Sequence, residues 1–204
     1  MKIFSVKFKK SISDINQFIV NKNYPEYAFA GRSNVGKSSL INCITNRRSI
    51  ARVSSHPGST KLINHFIINQ EWYLIDLPGY GFSSNKYLKK TNNKLIIDYI
   101  FYRKTITCLF LLIDCRILMQ KIDINFINFL NKKKIKFCIV FTKVDKLKNM
   151  NILDHHIVSY FSKMKKKMIY PKYFKISSKK KLGIKNMKQY IEELNQLQKK
   201  AHYS

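Results

Sequence analysis

Residues 27–39 read Tyr27-Ala28-Phe29-Ala30-Gly31-Arg32-Ser33-Asn34-Val35-Gly36-Lys37-Ser38-Ser39. Four residues typical of a buried strand run straight into a Gly-x-x-x-x-Gly-Lys-Ser loop, and a helical stretch follows from Lys37 to Thr45. Glycine at positions 31 and 36 permits close backbone approach, so that consecutive N–H groups can surround phosphate oxygens. The helix end adds its free N–H groups and partial positive charge. By chance such a loop arises in about one chain in a hundred of this length, so its neighbours must decide.

Outward from the loop, strands are expected at residues 62–68, 72–76, 107–113, 137–142 and 173–177. Helix-length segments lie between them at about 91–103, 122–130, 151–163 and 184–199. Strands alternating with helices predict an α/β fold of the P-loop NTPase type, a mostly parallel sheet with helices on both faces. A hairpin around Asn69-Gln70-Glu71 would make one strand antiparallel. Ahead of the loop, Ile3, Val6 and Phe8 suggest a short strand, and Ile12, Ile15, Phe18 and Ile19 a helical turn. The expected organisation is one domain over residues 1–204 with a strand-and-helix extension at 1–23. There is no internal repeat.

In such a sheet the ligand sits beyond the carboxyl ends of the strands, and the remaining chemistry-bearing residues fall there. Ser38 can offer its hydroxyl to Mg²⁺ while Lys37 reaches the β- and γ-phosphates. Asp76 closes a strand as Asp76-Leu77-Pro78-Gly79, where a carboxylate can hold the metal through water and the Gly79 N–H can meet the terminal phosphate. Thr142-Lys143-Val144-Asp145 ends another strand. Its aspartate can accept hydrogen bonds from the N1–H and 2-amino groups of guanine, donors that adenine lacks, so the base is expected to be guanine.

The chain has 204 residues, 45% of them hydrophobic, enough for a substantial core. Its formal charge is +28, carried by 39 basic residues of which only six are arginine. Lysine, isoleucine and asparagine are inflated together, as an A/T-rich coding sequence would make them, so part of this charge is compositional. Its distribution is more telling: eleven lysines and no acid fall between Tyr160 and Ile191, and another cluster runs from Lys132 to Lys136. A solvated lysine face is the plain alternative, but RNA backbone contact is favoured, with selectivity from shape because arginine is scarce. Cys43, Cys108, Cys115 and Cys138 lack metal-ligand spacing and read as reduced core residues. The longest apolar run, Cys108 to Ile113, is too short to cross a bilayer, and residues 1–10 do not form a signal-peptide core. A cytoplasmic protein, without membrane insertion and monomeric, is expected.

Taken together, Gly31-Arg32-Ser33-Asn34-Val35-Gly36-Lys37-Ser38-Ser39, Pro57-Gly58-Ser59-Thr60, Asp76-Leu77-Pro78-Gly79-Tyr80-Gly81, Thr142-Lys143-Val144-Asp145 and Ser177-Ser178 resemble the nucleotide motifs of the EngB (YihA/YsxC) family of bacterial GTPases. That family lies in the TrmE-Era-EngA-EngB-septin-like superfamily. The resemblance implies a G domain that binds GTP or GDP with Mg²⁺, assists assembly of the large ribosomal subunit, and is linked to cell division and septation. It also implies that Thr60 joins Mg²⁺ when GTP is bound, and that Gly58, Ser59, Ile176, Ser177 and Ser178 border the nucleotide. One departure is Ser59, where the family often carries arginine; this removes a basic group near the phosphates.

Hydrolysis is expected to rest on Lys37, Asn34, Thr60 and Gly79. Tyr80 stands where many GTPases place the glutamine that orients water, so intrinsic turnover should be slow and a partner or cation should supply stabilisation. By resemblance to related GTPases that use an asparagine at this loop position to help hold K⁺ against the phosphates, Asn34 implies K⁺ as that cation. The γ-phosphate would draw in residues 47–59 and 80–90, and its loss would release them. Two rivals are a P-loop nucleotide kinase, which has no need of Thr-Lys-x-Asp, and an RNA-binding module with a non-switching loop. His65 reads as a packing residue, His155-His156 as no metal site, and Trp72 as packed on the sheet.

Overall fold

The structure is a computed structural model, and it describes residues 1–14, 24–51, 62–80, 86–103, 105–162 and 171–203. Its strands are β1 (Val6–Ile12), β2 (Glu26–Gly31), β3 (Ile63–Ile68), β4 (Trp72–Asp76), β5 (Ile106–Asp114), β6 (Phe137–Thr142) and β7 (Tyr173–Lys175). Helices α1 (Lys37–Thr45), α2 (Lys86–Tyr102), α3 (Lys121–Lys132), α4 (Met150–Ser162) and α5 (Ile184–Tyr203) complete the order. The strands form one sheet in the order β1-β3-β4-β2-β5-β6-β7. Only β3 runs against the rest, pairing antiparallel with both β1 and β4. The hairpin at Asn69 and Gln70 turns through two positive φ angles, 51° and 56°, as a tight hairpin demands.

Alternation along the strands divides the core. One set of buried residues, including Ala28, Ala30, Leu109, Leu111, Ile139 and Phe141, packs against Leu95, Tyr99, Ile127, Leu130 and Leu153 of α2, α3 and α4. The opposite set, including Tyr27, Phe29, Phe110, Leu112 and Val140, packs against Leu40 and Ile44 of α1 and Met187 and Ile191 of α5. Strands buried on both faces read as continuous apolar runs, which explains the pattern of residues 107–113. Strand β2 sits centrally, with β4 on one side and β5 on the other, so the loop that leaves it emerges where the sheet changes winding direction, the place where such folds bind ligands.

Three local expectations change. Ile12 ends β1 opposite Ile63 and is buried, so it belongs to the strand and not to a helical turn; Ile15, Phe18 and Ile19 lie outside the described residues. Phe8 points outward and is 58% exposed. Strand β7 stops at Lys175, because Ser177 turns to bridge Leu182 in both directions, N–H to C=O, at 3.2 and 3.0 Å. Helix α2 begins at Lys86, earlier than its apolar spacing suggested, since helical backbone bonding does not require apolar residues.

Trp72 is buried edge-on to Tyr27, ring centroids 5.4 Å apart. All four cysteines are free, with Cys108, Cys115 and Cys138 buried. Among the described residues no helix is long and apolar enough to cross a membrane.

Candidate functional site

At the end of β2 the chain packs so tightly that a side chain at Gly31 could not fit: its Cβ would lie 2.8 Å from Val35 Cγ1 and 3.0 Å from the Leu112 carbonyl. The loop then turns on a 3.2 Å hydrogen bond from Val35 N–H to Arg32 C=O, with Asn34 at φ 62° and Gly36 at φ 99°. Gly36 caps α1 in the left-handed region, open to glycine at little cost. The first-turn N–H groups of a helix have no intrahelical acceptors, so those of Lys37, Ser38 and Ser39 point along the axis into the loop. Val35 and Lys37 are buried, whereas Asn34 and Ser39 are exposed and Ser33 and Ser38 lie between.

Strand β4 delivers Asp76 beside this loop. Its carboxylate, almost wholly buried, forms an ion pair through Oδ1 with Lys37 Nζ, while Asn64 Nδ2 stands 3.5 Å from Oδ2. Leu77 N–H donates to Phe29 C=O at 3.1 Å, and Leu77 and Pro78 are buried, so the motif continues the sheet edge instead of looping free. Gly79 then passes against the loop, and a Cβ there would fall 2.8 Å from Ser33 Oγ. Tyr80 N–H donates to Gly31 C=O at 3.2 Å, locking the two segments together.

The Tyr80 side chain turns away from the loop. It is buried, its hydroxyl donates to Asp123 Oδ1 at 3.1 Å, and its ring lies 4.9 Å from that of Phe126 on α3. Asp123 also takes the Gln120 N–H at 3.2 Å through Oδ2 and faces Arg32 Nε at 3.4 Å. Burial pushes its carboxyl up, while the Arg32 charge pulls it down. One carboxylate thus joins the phosphate loop, the residue after Gly79, and the start of α3. Sequence reasoning missed Asp123; the visible signal was the capping pattern of Gln120 and Asp123 at a helix start.

At the end of β6 the Thr142-Lys143-Val144-Asp145 segment is tied to the same loop. Thr142 donates its hydroxyl to Val35 C=O at 2.6 Å, and Lys143, at φ 61°, donates to Asn34 C=O at 2.6 Å. Lys143 also pairs with Asp114 at 3.0 Å, and Asp114 receives Arg116 Nη2 at 2.7 Å. Burial works to raise the Asp114 pKa, but the hydrogen bonds from Arg116 and Lys143 outweigh it and hold it at about 2. Asp114 and Arg116, at the end of β5, carried no sequence motif. Asp145 accepts the Ser177 hydroxyl at 2.6 Å, and Ser177 Oγ in turn accepts Lys180 N–H at 3.0 Å. That hydroxyl holds the Asp145 carboxyl below its ordinary range. Ser177 is buried beneath the carboxylate it orients, Ile176 is buried beside it, and Ser178 is partly exposed.

Gly31 to Ser39, Asp76 to Gly79, Thr142 to Asp145, and Ile176 to Ser178 therefore converge at one end of the sheet. Gly58, Ser59 and Thr60 lie outside the described residues, as do Pro57 and Gly81. Among the described residues no group of three or more His, Cys, Asp or Glu could hold a metal. A hydroxyl at Ser38 and one carboxylate at Asp76 are instead a donor set for Mg²⁺, which keeps waters and takes its remaining ligands from phosphate oxygens. Asp76 suits that role, since Lys37 engages one of its oxygens and the other receives only the long 3.5 Å contact from Asn64 Nδ2. His65 and His156 stand apart: His65 Nε2 lies 3.0 Å from the Tyr99 hydroxyl, and His156 Nδ1 3.0 Å from Cys115 C=O.

Chemically the arrangement combines an anion cradle, a buried lysine, a carboxylate with one weakly engaged oxygen, and a second carboxylate set for two adjacent N–H donors. Comparison with known proteins agrees. Residues 26–143 match the family model described as a 50S ribosome-binding GTPase. The probable GTP-binding protein EngB of Christiangramia forsetii is 47% identical over 197 residues, covering 96% of this chain and 98% of the relative. That of Porphyromonas gingivalis is 43% identical over 198 residues, with coverage of 96% and 98%. A crystal structure of a probable GTP-binding protein engB superposes with a TM-score of 0.69 at 28% identity, over 84% of this chain and 98% of the other. The structure of Era with MgGDPNP and a ribosomal RNA fragment shares the fold at 19% identity, with a TM-score of 0.66 over 83% of this chain and 56% of its own.

Proposed function

The chain belongs to the EngB family of GTP-hydrolysing proteins, and from that premise we propose that it is a slow GTP/GDP switch in assembly of the large ribosomal subunit, linked to normal cell division and septation. It acts as a monomeric cytoplasmic G domain spanning residues 1–204, the segment 1–23 being an extension. The observation that most supports this reading is the convergence of the phosphate loop, Asp76-Leu77-Pro78-Gly79 and the Ser177-braced Asp145 at one end of the sheet.

On binding, the triphosphate enters the cradle of Gly31, Arg32, Ser33, Asn34, Val35, Gly36, Lys37, Ser38 and Ser39. The Lys37 ammonium leaves Asp76 for the β- and γ-phosphate oxygens, which frees the Asp76 carboxylate. Ser38, Thr60 and, through water, Asp76 would hold Mg²⁺, which supplies neutralisation of charge on the phosphate oxygens. Gly79 offers its N–H to the γ-phosphate, and Gly58 and Ser59 flank Thr60. Asp145 accepts from the guanine N1–H and 2-amino groups, while Ser177 holds it in orientation and Ser178 and Ile176 border the base. Asn34 would help hold K⁺, which would supply further charge neutralisation.

Since Tyr80 is gripped by Asp123 beside α3, no side chain at its position faces an attacking water. Turnover should then be about 10⁻⁴ to 10⁻³ per second unless the ribosomal particle completes the site. Titration with labelled GDP, GTP and ATP tests the base and the class together; preference for ATP would overturn the reading and favour a kinase. Sedimentation of GTP-loaded and GDP-loaded protein with large subunits tests the switch, and equal binding of the two forms would refute it. Equal turnover in K⁺ and Na⁺ would remove Asn34 from the cation role.

A further inference from the structure

The opposite end of the sheet carries a surface that nucleotide binding does not use. Helices α2 and α3 finish there, and β5 and β6 begin there. Phe101 is 49% exposed and Tyr102 65% exposed, their rings edge to face at 5.0 Å. Lys133 Nζ sits 4.2 Å above the Phe101 ring. Lys132, Lys134 and Lys136, its neighbours in the chain, are exposed as well. The neighbouring acid on β2, Glu26, is buried against Arg103, and the acid that α2 itself carries, Asp98, is half-buried. Large exposed aromatic rings cost solvation, and lysines crowded on one edge repel each other. Both costs are offset by one class of ligand, unpaired nucleotides, whose bases stack on rings while their phosphates meet ammonium groups.

We propose that Phe101 and Tyr102, with Lys133 over the Phe101 ring and the exposed run of Lys132, Lys134 and Lys136 beside that lysine in the chain, form a docking surface for single-stranded RNA. This rests on the ribosomal reading only for the kind of partner; the surface itself is drawn from ring exposure and charge. A nine-residue β5 separates it from the nucleotide site, about 30 Å at the rise of a strand. RNA can therefore be held at one end while GTP is bound and hydrolysed at the other. Stacking demands bases free of a duplex, so loops and strand ends are the ligand and paired helices are not.

The full-length protein is titrated at low salt with a fluorescent single-stranded RNA of about twelve nucleotides, and with the same strand annealed to its complement. The single strand is expected to bind more tightly. Phe101→Ala combined with Tyr102→Ala should weaken it about 10- to 100-fold, leave labelled-GDP affinity within about twofold as proof of folding, and keep the salt dependence. Phe101→Tyr with Tyr102→Phe should restore affinity. Lys132→Ala with Lys134→Ala should reduce the slope of log affinity against log salt by about one for each phosphate that is no longer neutralised. Unchanged affinity in the double alanine variant, tighter binding of the duplex, or no binding of either RNA would overturn the proposal. Failure of the ribosomal switch reads differently: the oligonucleotide would still bind in a ring-dependent way while intact large subunits did not distinguish GTP-loaded from GDP-loaded protein.

Discussion

Two buried ion pairs lie at opposite ends of the same central strands. At the amino end, Arg103 grips Glu26 with two nitrogens, Nε at 3.0 Å from Oε2 and Nη2 on Oε1, and the Tyr99 hydroxyl adds a third donor at 3.3 Å. At the carboxyl end, Lys37 meets Asp76 through a single oxygen. The first carboxylate is fully engaged by a planar fork that fits it; the second is held by a point charge on one oxygen and by only a long 3.5 Å contact from Asn64 Nδ2 on the other. A saturated pair has nothing left to offer a ligand and serves to clamp α2 to the sheet. An unsaturated pair beside a helix N-terminus can be exchanged, since a phosphate can take the lysine and a cation the aspartate.

Crossed substitutions break this comparison most sharply. Lys37→Ala should lower GDP and GTP affinity by at least about 100-fold, because a charge-assisted hydrogen bond to phosphate disappears. Arg103→Ala should leave nucleotide affinity unchanged but cost about 3–5 kcal/mol in urea unfolding, since Glu26 would remain buried and charged. Labelled-GDP titration and urea melts on both variants are the measurements. If each variant damaged both properties alike, the two pairs would not differ in kind.

The amino-end network has a pH signature at higher pH than the depressed carboxylate Asp114 at the carboxyl end. His65, fully buried beside Tyr99, is held down at about 3 by burial first and then by the charges of Arg103 and Lys10. The unfolded chain takes up a proton near pH 6.5 and the folded one does not, so this contribution is complete above pH 6.5 and is lost as pH falls toward 3. Stability should drop by about 2 kcal/mol between pH 6.5 and pH 5. Urea melts at several pH values check it, and His65→Phe should flatten the slope; an equally steep profile in that variant would assign the effect to other groups.

The smallest effect sharpens the carboxyl end. Ser177→Ala removes the hydroxyl that orients Asp145, so the preference for GTP over ATP should narrow by about fivefold, the worth of one hydrogen bond, while stability changes little. Competitive displacement of labelled GDP by each nucleotide reads the ratio. A loss of phosphate affinity common to both nucleotides would instead place Ser177 outside base recognition.

What was legible in the sequence follows a pattern. The strand into Gly31, the helix from Lys37, and the ends of β4 and β6 were readable because their chemistry lies within a few consecutive residues, where covalent geometry couples identity to conformation. The single antiparallel strand was readable for the same reason, from a short hairpin. Asp123, Asp114 and Arg116 were not, because an isolated acid or arginine in a chain this rich in charge acquires meaning only from what packs beside it. Tyr80 illustrates both sides: its position announced a missing glutamine, but the direction of its ring depended on a partner 43 residues away.

Spacing along the chain by itself determined the phosphate cradle, the α/β class and the preference for guanine, since each depends on local backbone geometry and on donor and acceptor types. Tertiary structure alone decided which carboxylate each cation meets, that Ser177 braces Asp145, that Tyr80 is turned onto α3, and that Phe101 lies beneath Lys133 just beyond α3. Those outcomes rest on interactions between residues far apart in sequence, and only the packing of helices on the sheet sets the distances on which charge and hydrogen-bond energies depend.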